Sequence, residues 1–251
     1  VQRGAIVEVN AGPGLLMHIK PATGEARPVG RAIVEHLFPN GDDGRIPVVG
    51  VTGSYGKTTV CRLIAHLLTL SGKHTGLACS SGLYLDRRQS LKGDCAHWEA
   101  AHQILMNRAI EAAVFENGSD AILGDGLAYD RCQVGVVTNF DVERHTGRFY
   151  VETPEQVYNV LRTQIDLVLP NGAAVLNAKE PQLVEMASLC DGEVIYFALD
   201  PALPAITAHR EQDKRAVIVR YSQIMLASGQ GEIPLAKLQD IPLTENGQAT
   251  L

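Results

Sequence analysis

The sequence predicts an α/β fold, a mostly parallel sheet with flanking helices, on three observations. Val48–Thr59 (VVGVTGSYGKTT) has the texture of a buried strand, a glycine-rich turn and the first residues of a helix. From Arg45 onward, apolar runs of strand length alternate with segments of helical periodicity. Two of those runs, Ala112–Phe115 and Val134–Val137, are apolar throughout and polar at their ends, as suits strands covered on both faces.

Residues 1 to 44 differ in texture. Ala5–Val9 reads as a short strand broken by Gly12-Pro13-Gly14, and Val29–Phe38 has helical spacing through Ile33, Val34 and Leu37. Pro39–Gly44 reads as a linker, which places a domain boundary near residue 45. The helix after the glycine turn carries Val60, Leu63, Ile64, Leu67 and Leu68 on one face and stops at Gly72. A short apolar piece at Thr75–Cys79, a loop with Tyr84 and Asp86, and a helix over about Glu99–Ile110 follow. Pro154–Val168 is the next helix, with Thr153 as its cap, and Asn171-Gly172 turns into the strand Ala173–Leu176. A helix through Leu183–Leu189 and a strand Val194–Ala198 continue the alternation. The chain then predicts a short β-hairpin region near its C-terminus, from Ala216–Arg220 and Gln223–Ala227, and a proline-bearing stretch Ile233–Leu243.

With 251 residues and 45% hydrophobic content the chain can bury a sizeable core. A net charge of −6 and no long Lys/Arg run argue against a nucleic-acid partner. No apolar stretch approaches the roughly twenty residues of a membrane helix, and no signal-peptide pattern opens the chain, so no membrane partner and a cytoplasmic location are expected. The five cysteines are scattered and never in a CxxC arrangement, which suggests reduced thiols rather than a disulfide framework or zinc site. Val1 and Leu251 give no start or end signal, and a segment of a longer protein is expected.

The glycine turn has the makings of a phosphate-binding loop. Gly53 and Gly56 allow backbone angles that side chains would crowd, and the turn's amides with the following helix N-terminus concentrate donors on a polyphosphate. Lys57 adds a positive charge at the β- and γ-phosphates, and the Thr58 hydroxyl is placed to ligate the magnesium ion that travels with ATP. The motif is the shorter form TG-x-x-GK-TT, since the strict spacing asks for glycine where Val51 stands. Gly53, Ser54, Tyr55, Gly56, Lys57, Thr58 and Thr59 are therefore the candidate nucleotide contacts. Ligands of parallel sheets sit outside the carboxyl ends of the strands, so Glu116-Asn117 and Thr138-Asn139 are expected to face the loop. His66, His97 and His102 have no partner at metal spacing and are read as packing or surface residues.

With Gly53–Thr59, Glu116, Asn139 and the Leu176-Asn177-Ala178 turn in place, the chain resembles the central, ATP-binding domain of the Mur ligase family of ATP-dependent amide ligases. Gly124–Asn139, Gly82–Arg88 and Lys92–Cys95 are most similar to a bacterial polymer-building branch in which an ATP-grasp domain precedes the Mur-like one. Glu8-Val9-Asn10-Ala11-Gly12-Pro13-Gly14 resembles the E-x-N-x-x-PG ending of such an ATP-grasp domain, where Glu and Asn bind magnesium. The resemblance implies that residues 1–44 are an ATP-grasp tail and linker, and that 45–251 are the Mur-like domain without the family's C-terminal domain. It implies ATP and Mg2+ as cofactors, with Thr58 and Glu116 as the first magnesium ligands and His145 able to hold a second. Glu8 and Asn10 are the metal ligands of the preceding site, Lys57, Glu116 and His145 the catalytic residues, and Asn139 and Asn177 nucleotide contacts, Asn177 near the adenine. The implied partners are aspartate, arginine and a polymer or primer with an aspartate backbone and arginine side chains, handled by a homo-oligomer. The ATP-grasp site would add aspartate. The Mur-like site would activate the aspartate β-carboxylate as an acyl phosphate and join arginine.

The chain departs from the family in three places. An Asp-His pair is replaced by Arg144-His145, the carbamylated lysine of the following helix has no counterpart between Lys92 and Lys179, and N-A-D-D-P reads Asn177-Ala178-Lys179-Glu180-Pro181. Arg162 sits in that helix instead. Two readings stay open: an amide-ligase segment that is inactive or weak on its own, and a non-catalytic module that holds nucleotide or organises a polymerase assembly.

Overall fold

The structure, a computed structural model, describes residues 9–12, 14–241, 244–245 and 248–249. The chain divides into two compact units, Val1–Arg45 and Ile46–Leu251. The first holds helices α1 (Leu16–Ile19) and α2 (Val29–Leu37) and a 3₁₀ turn at Pro39–Gly41. None of its described residues is buried. The expected strand Ala5–Val9 lies outside the described residues except for Val9, and so does Glu8; Asn10 is described and exposed.

The second unit is built on one eleven-stranded sheet. Its strands are β1 (Val48–Thr52), β2 (Thr75–Cys79), β3 (Gly82–Leu85), β4 (Arg88–Lys92), β5 (Ala112–Glu116), β6 (Cys132–Val137), β7 (Val168–Asn177), β8 (Glu193–Ala198), β9 (Arg215–Arg220), β10 (Gln223–Ser228) and β11 (Gly231–Lys237). Its helices are α3 (Lys57–Leu70), α4 (Trp98–Leu105), α5 (Ser119–Leu123), α6 (Pro154–Asp166), α7 (Pro181–Met186) and α8 (Pro204–Glu211). The order across the sheet is β11-β10-β9-β8-β7-β6-β1-β5-β2-β3-β4. From β2 to β9 every neighbouring pair is parallel, while β3–β4 at one edge and β10–β11 at the other run antiparallel. No helix among the described residues is long and apolar enough to cross a membrane.

The pleat divides the core between two faces. Val49 and Val51 of β1 join Val114 and Val136 against Cys61 and Ala65 of α3. Val48, Ala113 and Phe115 face the other way, into a larger core with Ile104 of α4, Leu161 and Ile165 of α6, Met186 of α7 and Ile206 of α8. The stripe on α3 is rotated from the expected one. Small Cys61 and Ala65 lie deepest, Val60, Ile64 and Leu68 flank them, and Leu67 is 63% exposed. Helix α6 begins where expected, on a capping box in which Gln156 N donates to Thr153 Oγ1 at 3.3 Å and Thr153 N to Gln156 Oε1 at 3.0 Å.

Several elements differ from or extend the sequence expectation, and Asn171-Gly172 lies inside β7 rather than at a turn before it. The loop with Tyr84 and Asp86 is the β3–β4 hairpin, turned at Asp86 with φ +53° and tied back to β2 by Thr75 N donating to Asp86 Oδ1 at 2.8 Å. The expected C-terminal hairpin is present as β9–β10; it joins the main sheet because β9 pairs parallel with β8, and β11 adds a third antiparallel strand. Before it stands α8, started by Pro204 in its first turn, where a missing N–H costs no helix bond.

Candidate active site

The site is assembled where β1 sits between β5 and β6. The registers Val51↔Glu116 and Thr52↔Val137 set the carboxyl ends of all three strands side by side. The chain leaves β1 through Gly53, whose φ is +125°; a Cβ there would overlap Thr138 Oγ1 and lie 2.9 Å from Thr138 N. Glycine is thus required twice, by backbone angle and by close approach. The exit of β6 holds the loop in shape. Asn139 Oδ1 accepts from Ser54 N at 2.9 Å and Tyr55 N at 2.8 Å, and Thr138 Oγ1 donates to Tyr55 O at 2.7 Å. Gly56, at φ +77°, caps α3, and beyond its chain neighbours nothing lies within 4 Å of where its Cβ would be. The amides of Gly56, Lys57, Thr58 and Thr59 have no acceptor in their own helix, as at any helix start, so a donor-rich and open helix N-terminus follows the loop. Lys57 Nζ donates to Gly53 O at 2.9 Å, which keeps its charge over the loop.

Glu116 ends β5 and is 6% exposed. Its carboxylate accepts from Thr58 Oγ1 at 2.9 Å, from Ser80 N at 2.9 Å and from Ser80 Oγ at 3.1 Å, and the two hydroxyls are 2.8 Å apart. The structure thus brings Thr58 and Glu116 together and adds Ser80, which the sequence reading missed. The available signal was position, since Ser80 directly follows β2, the strand next to β5. A carboxylate and two hydroxyls in one cluster are hard oxygen donors, the chemistry that suits a magnesium-type cation. These residues and the open start of α3 fit a metal–nucleotide pair.

Asn117 corrects the expectation that Glu116 and Asn117 both face the loop. The pleat turns it to the opposite face, where Nδ2 donates to Tyr129 Oη and to Gln164 Oε1, each at 2.7 Å. Tyr129 Oη also donates to Gln164 Oε1 at 2.9 Å, and all three residues are buried. Burial raises the Tyr129 phenol above its ordinary pKa, so it stays a neutral donor.

His145, 7% exposed, joins a different set of groups. Its Nε2 is 2.8 Å from Ser54 Oγ and its Nδ1 2.7 Å from Ser119 Oγ. Burial, then the charge of Lys57, holds its pKa below the usual histidine value. Arg144 lies with its guanidinium 4.6 Å from the centre of the Tyr55 ring, and Tyr55 Oη donates to Asp141 Oδ2 at 2.6 Å. Asn177 supports the β6 exit, its Nδ2 donating to Thr138 O at 3.1 Å. Beside Tyr55 opens a cavity of about 650 Å³ whose lining includes Asn139, Phe140, Asp141 and Glu180. Among the described residues no group of three or more His, Cys, Asp and Glu is placed to hold a metal ion.

Residues 51–233 match the family described as Mur ligase middle domain. The chain is 37% identical over 246 residues to cyanophycin synthetase of Synechocystis sp., covering 98% of this chain and 28% of that one. It therefore spans little more than a quarter of the length of the curated relatives it matches. Among solved structures, a UDP-N-acetylmuramoyl-L-alanyl-D-glutamate--2,6-diaminopimelate ligase superposes with a TM-score of 0.56 at 18% identity, over 76% of this chain and 39% of that one. A bifunctional folylpolyglutamate synthase/dihydrofolate synthase with Mn, AMPPNP and L-glutamate bound gives 0.53 at 12% identity, over 91% and 58%. At those identities the structures share a fold with this chain.

Proposed function

Given that the chain belongs to the Mur ligase family by its middle domain, we propose that it is the ATP-binding, amide-forming segment of a cyanophycin synthetase. The polymer-building branch that the sequence resembles is that of cyanophycin synthetase. The observation that carries the reading is the contact of Glu116 with Thr58 and Ser80 beside the open start of α3. In this reading Thr58, Glu116 and Ser80 hold Mg2+, and Gly53 to Thr59 hold the ATP phosphates. Asn139 and Asn177 keep the β6 exit in place, with the nucleotide's base near the cavity beside Tyr55. A bound divalent ion would neutralise charge on the β- and γ-phosphates. Lys57 and the first-turn amides of α3 oppose the remaining negative charge, so the protein's work is positioning and electrostatics rather than covalent chemistry.

The reaction then runs in two displacements. A β-carboxylate oxygen of the aspartate chain bonds to the γ-phosphorus as the bond to ADP breaks, giving an acyl phosphate. The amine of arginine next bonds to the acyl carbon, the C–O bond breaks, phosphate leaves, and the nitrogen gives up a proton to yield the amide. Aspartate addition belongs to a preceding ATP-grasp site, with Glu8 and Asn10 as its magnesium ligands, in a cytoplasmic homo-oligomer acting on a cyanophycin primer.

A second reading is a non-catalytic nucleotide-binding module, favoured by the cation Arg144 against Tyr55 and by Arg162, which pairs with Asp166 at 3.1 Å where the family places a carbamylated lysine. Glu116→Gln in the full-length protein separates the two. The ligase reading expects arginine incorporation to fall strongly while aspartate addition persists on a suitable acceptor end. Untouched arginine incorporation would remove it in favour of the module.

A further inference from the structure

We infer that His145 is a positioning residue, a strut between the phosphate loop and the start of α5, and not the ligand of a second metal ion. A neutral imidazole has one donor and one acceptor nitrogen. Both are used here, Nε2 toward Ser54 Oγ at 2.8 Å and Nδ1 toward Ser119 Oγ at 2.7 Å. Either tautomer satisfies the pair, because each hydroxyl can donate or accept. Coordination needs a ring nitrogen with its lone pair turned to a cation, and in this ring a serine oxygen stands in each of those directions.

The charges nearby point the same way. The preceding residue is the cation Arg144, whose guanidinium lies 4.6 Å from the centre of the Tyr55 ring. In α6 the only basic residue is Arg162, paired with Asp166 on the exposed side, so no lysine there completes a metal site with His145.

The strut has a mechanical consequence. Ser54 Oγ accepts from Asp141 N at 2.8 Å as well as meeting His145, while the Ser54 amide is held from the other side by Asn139 at 2.9 Å. Ser54 is therefore fixed at its amide and at its hydroxyl before any ligand arrives. An ordered loop spares a nucleotide the cost of ordering it, so loss of the strut should show in affinity.

The test begins without nucleotide, so that it stands apart from the proposed function. Hydrogen exchange of the intact chain should show the Ser54 and Tyr55 amides exchanging about tenfold faster in His145→Ala than in the parent, as a local opening no longer held. Ser119→Ala should show a smaller change in the same direction, and Ser119→Thr, which keeps the hydroxyl, the parental rate. Ser119→Ala also stands in if His145→Ala fails to fold. The second arm rests on the nucleotide reading: with AMPPNP present, Mn2+ counted by electron paramagnetic resonance should be one per chain in both the parent and His145→Ala, with weaker AMPPNP binding in the variant. Unchanged exchange in both Ala variants, or a fall from two Mn2+ to one on loss of His145, would overturn the inference. A parent that bound no AMPPNP would sink the nucleotide reading instead, and exchange would still decide the role of His145.

Discussion

Asn139 accepts hydrogen bonds from two consecutive amides of the phosphate loop, those of Ser54 at 2.9 Å and Tyr55 at 2.8 Å. Two donors of the loop are thus committed to the fold. The first-turn amides at the start of α3 have no acceptor in their own helix and remain for an anion. In this arrangement Asn139 shapes the loop from the end of β6.

Asn139→Ala should leave both amides without that acceptor. Chemical denaturation is expected to show a loss of about 0.5–1.5 kcal/mol, the net worth of such a bond, because the Ser54 bond is partly buried and the Tyr55 bond is exposed. Unchanged stability would mean that the loop holds its shape without Asn139.

Gly50→Ala tests the buried polar group beneath β1. A Cβ at that position would overlap Tyr129 Oη and the amide of Gln164, which Asn117 also bonds. Overpacking there should destabilise the chain by about 1–3 kcal/mol in denaturant titration. Tolerance of alanine would show that the Asn117–Tyr129–Gln164 group can shift freely.

How far the site was legible follows from what sequence records and what it does not. Glu116 and Asn139 could be placed because apolar runs imply parallel strands whose carboxyl ends gather on one side. Asn117 could not, since the face a strand-end residue takes depends on where the pleat stops, and β5 runs one residue past its apolar stretch to Glu116. Ser80 was hidden for another reason: serines after a strand are ordinary turn residues, and only the β2–β5 adjacency brings this one to Glu116. On α3 the apolar spacing gave a helix but not its deepest face, because close approach to the sheet selected the small side chains of Cys61 and Ala65 over Leu67. The β3–β4 hairpin escaped because β4, Arg88–Lys92, is exposed along its whole length and polar but for Leu91.

Stability should also carry an acid signature from His209. The ring is buried on α8, with Nε2 3.0 Å from Val194 O and 3.1 Å from Arg215 O. Burial holds its pKa below the ordinary 6.5, with a smaller contribution in the same direction from Lys214. The unfolded chain therefore binds the proton more readily than the folded one. Its contribution is fully present above pH 6.5 and is lost as the pH falls through the lower, folded pKa. Denaturation midpoints measured from pH 7.5 downward should decline in the parent and decline less in His209→Gln. Parallel profiles would assign the acid sensitivity to other groups.

In the proposed function Glu116, with Thr58 and Ser80, holds the divalent ion of a metal–nucleotide pair at the start of α3. Calorimetric titration of the chain with ATP, with and without Mg2+, in the parent and in Glu116→Gln, tests it most directly. Glutamine keeps the size and one oxygen but loses the charge. Mg2+ is expected to tighten ATP binding in the parent, and Glu116→Gln to reduce this gain at least tenfold, about 1.4 kcal/mol, with folding preserved. An equal magnesium-dependent gain in both proteins would contradict it.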